Sequence, residues 1–173
     1  MQIKFSSTKE NIIFVLCISL ILVTVSIVAV LGGIQDNKFV ADKAVYTLSE
    51  QFVNANEFGQ AAANFSSLLQ AYPQSYDLNW DYAYILAGEG KLSEAKQYYT
   101  AARLHRPSVV LDPYYLLEYG QLLVKQGQYV AAQQYLNQAV KIGNQQVVKQ
   151  ARQLLSTAQA HQAKMAKENT QHG

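Results

Sequence analysis

The sequence predicts an all-α chain: a single N-terminal transmembrane helix, three helical hairpins and a C-terminal capping helix. Two observations carry this reading. Residues 12–34 hold no charge and no proline and are rich in Ile, Leu and Val. Residues 42–146 contain three stretches that superpose at an interval close to 34 residues, the separation of Pro73 and Pro107.

A tail of residues 1–11 comes first. The apolar run behind it, at ~1.5 Å per helical residue, is long enough to cross a ~30 Å hydrocarbon core with some tilt. A cleaved secretory signal is the competing reading, but its apolar part spans only ~7–15 residues and ends in a small-x-small site. This run is longer, and Ala29-Val30-Leu31-Gly32-Gly33 matches such a site poorly. Lipoprotein processing at Cys17 is disfavoured, because Leu16 stands where such sites resemble one another in having Gly, Ala or Ser. Lys4, Lys9 and the amino terminus precede the run and Lys38 and Lys43 follow it, a weak charge bias. The short leading tail is the easier part to retain in the cytoplasm, so the N-terminus is expected there and the repeats on the extracytoplasmic side. Residues 35–41 read as a linker.

The repeats are expected at 42–75, 76–109 and 113–146. In the first, Val45, Leu48, Ser49 and Phe52 precede Ala61, Phe65 and Pro73. In the second, Asn79, Tyr82, Ala83 and Leu86 precede Ala95, Tyr99 and Pro107. In the third, Leu116, Tyr119, Gly120 and Leu123 precede Ala132 and Leu136. Gly90 and Gly127 are 37 apart, so about three extra residues enter between the second and third repeats. Tyr82, Ala83 and Leu86 recur at helical spacing, Gly90-Lys91 breaks the helix, and Leu92, Ala95, Tyr99 and Ala102 form a second apolar stripe, the pattern of a helical hairpin. Small residues in the first helix (Ser49, Ala83, Gly120) and alanine in the second (Ala61, Ala95, Ala132) let helix axes approach to the lower end of the usual ~8–10 Å range. Pro73 and Pro107 lack an N–H and stop each second helix where the chain turns into the next hairpin. Asn144 stands where a third proline would fall, and Ile142-Gly143-Asn144 is expected to break the helix by left-handed turn chemistry.

This pattern resembles the tetratricopeptide repeat (TPR) family, whose signature is W-x2-L-G-x2-Y, then A-x3-F, then P. Asn56, Gly90 and Gly127 fall at equivalent hairpin turns. Val45, Asn79 and Leu116 replace the signature tryptophan, and Trp80 lies one residue further on. The resemblance implies a protein-binding scaffold without naming its partner.

Residues 147–167 carry Val147, Val148, Ala151, Leu154, Leu155, Ala158 and Ala163 at helical spacing, with Lys149, Arg152 and Gln153 between. A stacked array needs such a terminal element with a polar outer face. An amphipathic segment docking on lipid is the alternative, which the alanine-rich face disfavours. Residues 168–173 are expected to be a mobile polar tail.

Composition excludes several classes. With 15% charged residues and a net charge of +2, there is no nucleic-acid footprint; the densest basic group, Lys91, Lys96, Arg103 and Arg106 with Glu94 among them, reads as a solvated helix face. Cys17 is the one cysteine and forms no intrachain disulfide. No catalytic, cofactor or metal site is expected. His105 has no Cys, Asp or Glu at ligand or triad spacing, and His161 and His172 lie in the terminal helix and tail. The glycines at 88, 90, 120, 127 and 143 make no phosphate-cradling loop. Asp112, before Pro113, reads as the loop residue opening the third repeat. No small-molecule substrate is implied.

In proteins similar to this one, exposed residues beside the packing positions of each first helix line a groove. That selects Tyr46, Glu50, Asn54, Trp80, Asp81, Tyr84, Tyr114, Leu117, Glu118 and Gln121, an aromatic and acidic face of the kind enriched at binding hot spots. Tyr82, Tyr99 and Tyr119 read as core; Trp80, Tyr84 and Tyr114 fit either role. The family's chaperone-binding subclass clamps a peptide carboxylate with Lys, Arg and Asn, which Tyr46, Glu50, Asp81, Tyr114 and Glu118 do not provide. Two function classes remain: a single-pass scaffold recruiting a protein or peptide as an accessory or assembly subunit of a membrane complex, touching lipid through residues 12–34, or a structural subunit buried in a larger complex with no free groove.

Overall fold

The computed structural model describes residues 8–171, with side chains from 12 to 168. Seven α-helices follow one another among the described residues: α1 (Thr8–Asn54), α2 (Phe58–Ala71), α3 (Tyr76–Gly88), α4 (Leu92–His105), α5 (Pro113–Lys125), α6 (Tyr129–Ile142) and α7 (Gln145–Gln171). The chain divides at Ala44/Val45 into two units. Residues 1–7 of the expected tail, His172 and Gly173 lie outside the described residues.

In the first unit, α1 is long and apolar enough to cross a membrane, with a stretch of mean hydropathy 3.1 and none of it buried. Every side chain from 12 to 41 is exposed, which sets this helix apart from the core helix of a soluble protein. Its hydroxyls are satisfied within the helix: Ser19 donates to the Val15 carbonyl, Thr24 to Ile21 and Ser26 to Leu22, each at 2.8 Å. Such internal bonding is what a hydrocarbon surrounding demands of polar groups. The linker expected at 35–41 is instead helical. Residues 35–41 contain no proline or glycine, so nothing in their backbone chemistry stops the helix.

In the second unit the helices pair as hairpins. The turns close where Asn56 (φ 61°), Gly90 (φ 83°) and Gly127 (φ 73°) take left-handed backbone, which Gly and Asn adopt with least strain. Ser49, Ala61, Ala83, Ala95 and Ala132 are all fully buried, as their small size in the hairpin interfaces requires. Gly120 shows the limit of close approach, since a Cβ there would lie 2.7 Å from the Leu136 side chain. The three extra residues between the second and third repeats are taken up by a 3₁₀ turn, Pro107–Leu111, which buries Val109. Asp112 caps α5, accepting from the Tyr114 and Tyr115 N–H groups at 2.8 and 3.4 Å ahead of Pro113.

Asn79 explains one missing tryptophan. It is buried, and its amide donates to the carbonyls of Pro73 (3.0 Å) and Ser75 (2.7 Å), satisfying the inter-repeat turn from within. The left-handed break expected at Gly143-Asn144 is absent. Gly143 is extended (φ −78°, ψ 159°), and glycine is needed for space: a Cβ would meet the Ala139 carbonyl at 2.6 Å and Val147 at 2.7 Å. Asn144 then starts α7, its side chain accepting from the Val147 N–H at 3.0 Å.

α7 buries Val147, Ala151 and Ala158, packs on α5 and α6, and leaves Lys149, Arg152 and Gln153 exposed. His161 stacks on Tyr129 with ring centroids 5.3 Å apart. The helix runs through the expected tail to Gln171; residues 168–171 carry no proline or glycine to end it.

Candidate functional site

One face of the hairpin unit is built from the C-terminal part of α1, α3 and α5. Two clefts open along it. The first, about 150 Å³, is lined by Tyr46, Glu50, Asn54 and Val53 of α1, Phe65 of α2, and Asp81, Tyr84 and Ile85 of α3. The second, about 250 Å³, is lined by Phe58, Tyr84, Gly88, Tyr99, Glu118, Gln121 and Lys125 among others. Tyr84 is shared, so the clefts follow one another along the face. Glu50, Tyr84 and Gln121 share one repeat position, separated by 34 and 37 residues.

The aromatic and acidic residues are paired between repeats. Tyr46 donates its hydroxyl to Asp81 Oδ2 at 2.9 Å, and Trp80 donates its indole N–H to Glu118 Oε2 at 2.7 Å. Tyr46 and Trp80 are 34 apart, and Asp81 and Glu118 are 37 apart, so this is one bond repeated once. Tyr99 adds a second donor to Glu118 Oε2 at 3.3 Å. In the third repeat the equivalent position is Leu117, which has no polar tip. Leu117, expected in the groove, is instead buried in the core at 6% exposure. It faces inward where Trp80 faces its neighbouring repeat.

Burial shapes the electrostatics of these groups. Removal from water lifts the Glu118 carboxyl to about 7, against the opposing hydrogen bonds from Trp80 and Tyr99. Burial likewise lifts Asp81 to about 6, helped by the charges of Asp77 and Glu50 and opposed by the Tyr46 bond. The Tyr46 hydroxyl is pushed up by burial and by Asp81. Each carboxylate is disfavoured in its charged form because it has lost solvent and gained only neutral donors.

Tyr84 and Tyr114 are exposed at 40% and 42%. Tyr84 meets the edge of Phe58 at a 6.3 Å centroid separation. Tyr114 lies outside both clefts and accepts from the Asn144 amide at 2.9 Å. Trp80 is half-buried, packs edge-on against Tyr115 at 5.6 Å, and lines a separate depression with Tyr76, Arg106 and Leu111. Tyr99 and Tyr119 are core residues, and Tyr82 is half-buried against Tyr98. Sequence reasoning missed Phe58 and Lys125. Phe58 belongs to a second helix yet reaches the groove, because Gly88 has no Cβ and the ring lies in that space. A large aromatic directly after a hairpin turn was the signal available.

The tetratricopeptide repeat model matches residues 53–116. Among solved structures, the fold is similar to the TPR2B domain of yeast Sti1 in its complex with pHsp70: TM-score 0.59, 15% identity, covering 69% of this chain and 96% of that one. It is also similar to the TPR domain of Sgt2 from Aspergillus fumigatus: TM-score 0.57, 13% identity, covering 77% and 83%. A third likeness is to the type III secretion chaperone SycD of Yersinia enterocolitica in complex with a peptide of the translocator YopD: TM-score 0.57, 14% identity, covering 71% and 93%. No curated protein matches the chain. With the turns at equivalent positions and these shared folds, the helical-hairpin unit of this chain has the fold of tetratricopeptide repeat domains, and its residues 53–116 match that family's model.

Proposed function

We propose that this chain is a membrane-anchored scaffold that recruits a protein or peptide segment at the membrane surface, as an accessory or assembly subunit of a membrane complex. Residues 12–34 anchor it, the N-terminus is cytoplasmic and the repeats are extracytoplasmic. The observation that carries the binding role is the pair of consecutive clefts along one helical face, rimmed by exposed Tyr84 and by Glu50. Two of the similar structures are complexes, one with pHsp70 and one with a translocator peptide, which supports use of this fold for holding partners. A structural subunit without a free groove is the second reading, favoured by the pairing of Trp80, Asp81 and Glu118 within the stack.

Capture of the full chain from membranes in mild detergent, followed by mass spectrometry, tests the scaffold. Partners should be recovered with the natural chain and depleted with Tyr84→Ala. A full set of partners retained by that variant favours the structural subunit. Orientation is tested by introducing one cysteine at exposed position 97 and labelling with an impermeant maleimide in vesicles of known sidedness. Labelling from the cytoplasmic side overturns the assigned topology.

A further inference from the structure

The second cleft has an unusual floor. At about 250 Å³ it is smaller than the ~300–1,000 Å³ of pockets that enclose drug-sized ligands, a size suited to one side chain. Phe58 and Tyr84 supply aromatic surface, and the Glu118 carboxyl supplies charge. Both donors to Glu118 are neutral and both meet Oε2; among the described residues no cation pairs with it. Lys125 lines the same cleft, but its ammonium donates to the Ala87 carbonyl at 3.2 Å. Asp81 and Asp112 add negative charge around Glu118.

Resting on the scaffold reading, we propose that this cleft takes a cationic side chain, arginine above lysine, of a bound peptide. The guanidinium meets the Glu118 carboxylate, and its stem and plane lie against Tyr84 and Phe58. Arginine fits better because its planar group stacks on aromatic rings and makes paired hydrogen bonds to a carboxylate. An incoming cation supplies what burial has taken from Glu118, a partner for its charged form. Binding therefore selects the ionised carboxyl. With Glu118 near 7, affinity should rise about tenfold between pH 6 and pH 8, following the ionised fraction. The groups facing Glu118 are Trp80, Asp81 and Tyr84 from α3, Tyr99 from α4, Asp112, Gln121 and Lys125 from the loop and helix of the third repeat, and Phe58 from α2. Of these, Asp81 is lifted to about 6, so its ionisation precedes that of Glu118 and overlaps it at the lower end of this range.

The test uses the full chain in detergent micelles and three peptide pools, identical except for a central arginine, norleucine or glutamate. Trp80 is the one tryptophan and bonds to Glu118, so its fluorescence reads the site directly. The arginine pool should bind at least tenfold more tightly than the norleucine pool at pH 8, with the glutamate pool weakest. Glu118→Gln should bring arginine and norleucine within threefold and reduce the pH dependence to twofold or less, the part that Asp81 can supply. Glutamine keeps an acceptor for the Trp80 N–H, so this variant is expected to fold; unchanged helicity verifies it. Glu94→Gln, exposed on α4, should change neither. Equal binding of the pools, or a preference that survives Glu118→Gln, overturns the proposal while leaving a groove-binding scaffold intact. No binding by any pool, together with full partner recovery by Tyr84→Ala, overturns both.

Discussion

Asp81 and Glu118 are the residues on which stability and recognition meet. Both are acids held by neutral donors from the preceding repeat, Tyr46 and Trp80, and burial lifts them to about 6 and about 7. Their folded values lie above the unfolded ones, so the folded state binds more protons between about pH 4 and pH 7. The stabilisation is fully present below the unfolded values and is lost as pH rises through the folded ones. Thermal unfolding of the chain should therefore occur at higher temperature at pH 5.5 than at pH 8, and Asp81→Asn with Glu118→Gln should flatten that slope. A midpoint that rises with pH would contradict the assignment. Trp80 was legible as an unusual residue, but its role was not. Only the fold shows that the next repeat offers an acid at 2.7 Å. Trp80→Ala should lower the urea midpoint by an amount equivalent to ~3 kcal/mol or more, because it removes both a ring packed on Tyr115 and a donor to a buried carboxylate. A loss below about 0.5 kcal/mol would place Trp80 on a free surface.

At the scale of the helices, the turns and the packing stripe were readable because each depends on short-range chemistry. Asn56, Gly90 and Gly127 take left-handed backbone at the three hairpin turns, and the alanines at 61, 95 and 132 are fully buried. Where sequence reasoning failed, the deciding fact was how side chains pack or the absence of a stop signal. Gly143 is glycine because Val147 and the Ala139 carbonyl crowd it, not because its backbone is left-handed. Leu117 looks like a groove residue by position, yet its apolar side chain goes to the core. Residues 35–41 read as a linker, yet they continue a helix. The register of the second hairpin is tested by Ala95→Leu, which should lower stability by ~1–3 kcal/mol through overpacking, while Gln97→Ala on the exposed face should stay within about 0.5 kcal/mol. Equal shifts in denaturation midpoint would show that the two helices meet elsewhere.

For the whole molecule, the apolar helix and the repeats form separate units, and the second holds its own core. A fragment beginning at Asp36 is expected to be soluble, monomeric and helical by circular dichroism, because three hairpins and a capping helix bury two apolar clusters, with Tyr82 packed against both. An insoluble fragment or substantial strand signal would count against that independence. The groove was half legible: of the residues the family resemblance selects, Tyr46, Glu50, Asn54, Asp81, Tyr84, Glu118 and Gln121 line the two clefts, while Trp80, Tyr114 and Leu117 do not. Their pairing, and the entry of Phe58 from a second helix, depend on how repeats stack. The central claim is that this face holds a partner through exposed aromatic surface. The most direct measurement is the affinity of the full chain in mild detergent for its captured partner, compared with Tyr84→Ala, whose ring is 40% exposed and makes no hydrogen bond among the described residues. A loss of ~2 kcal/mol or more with an unchanged unfolding midpoint is the predicted result; undiminished affinity in a folded variant would contradict it.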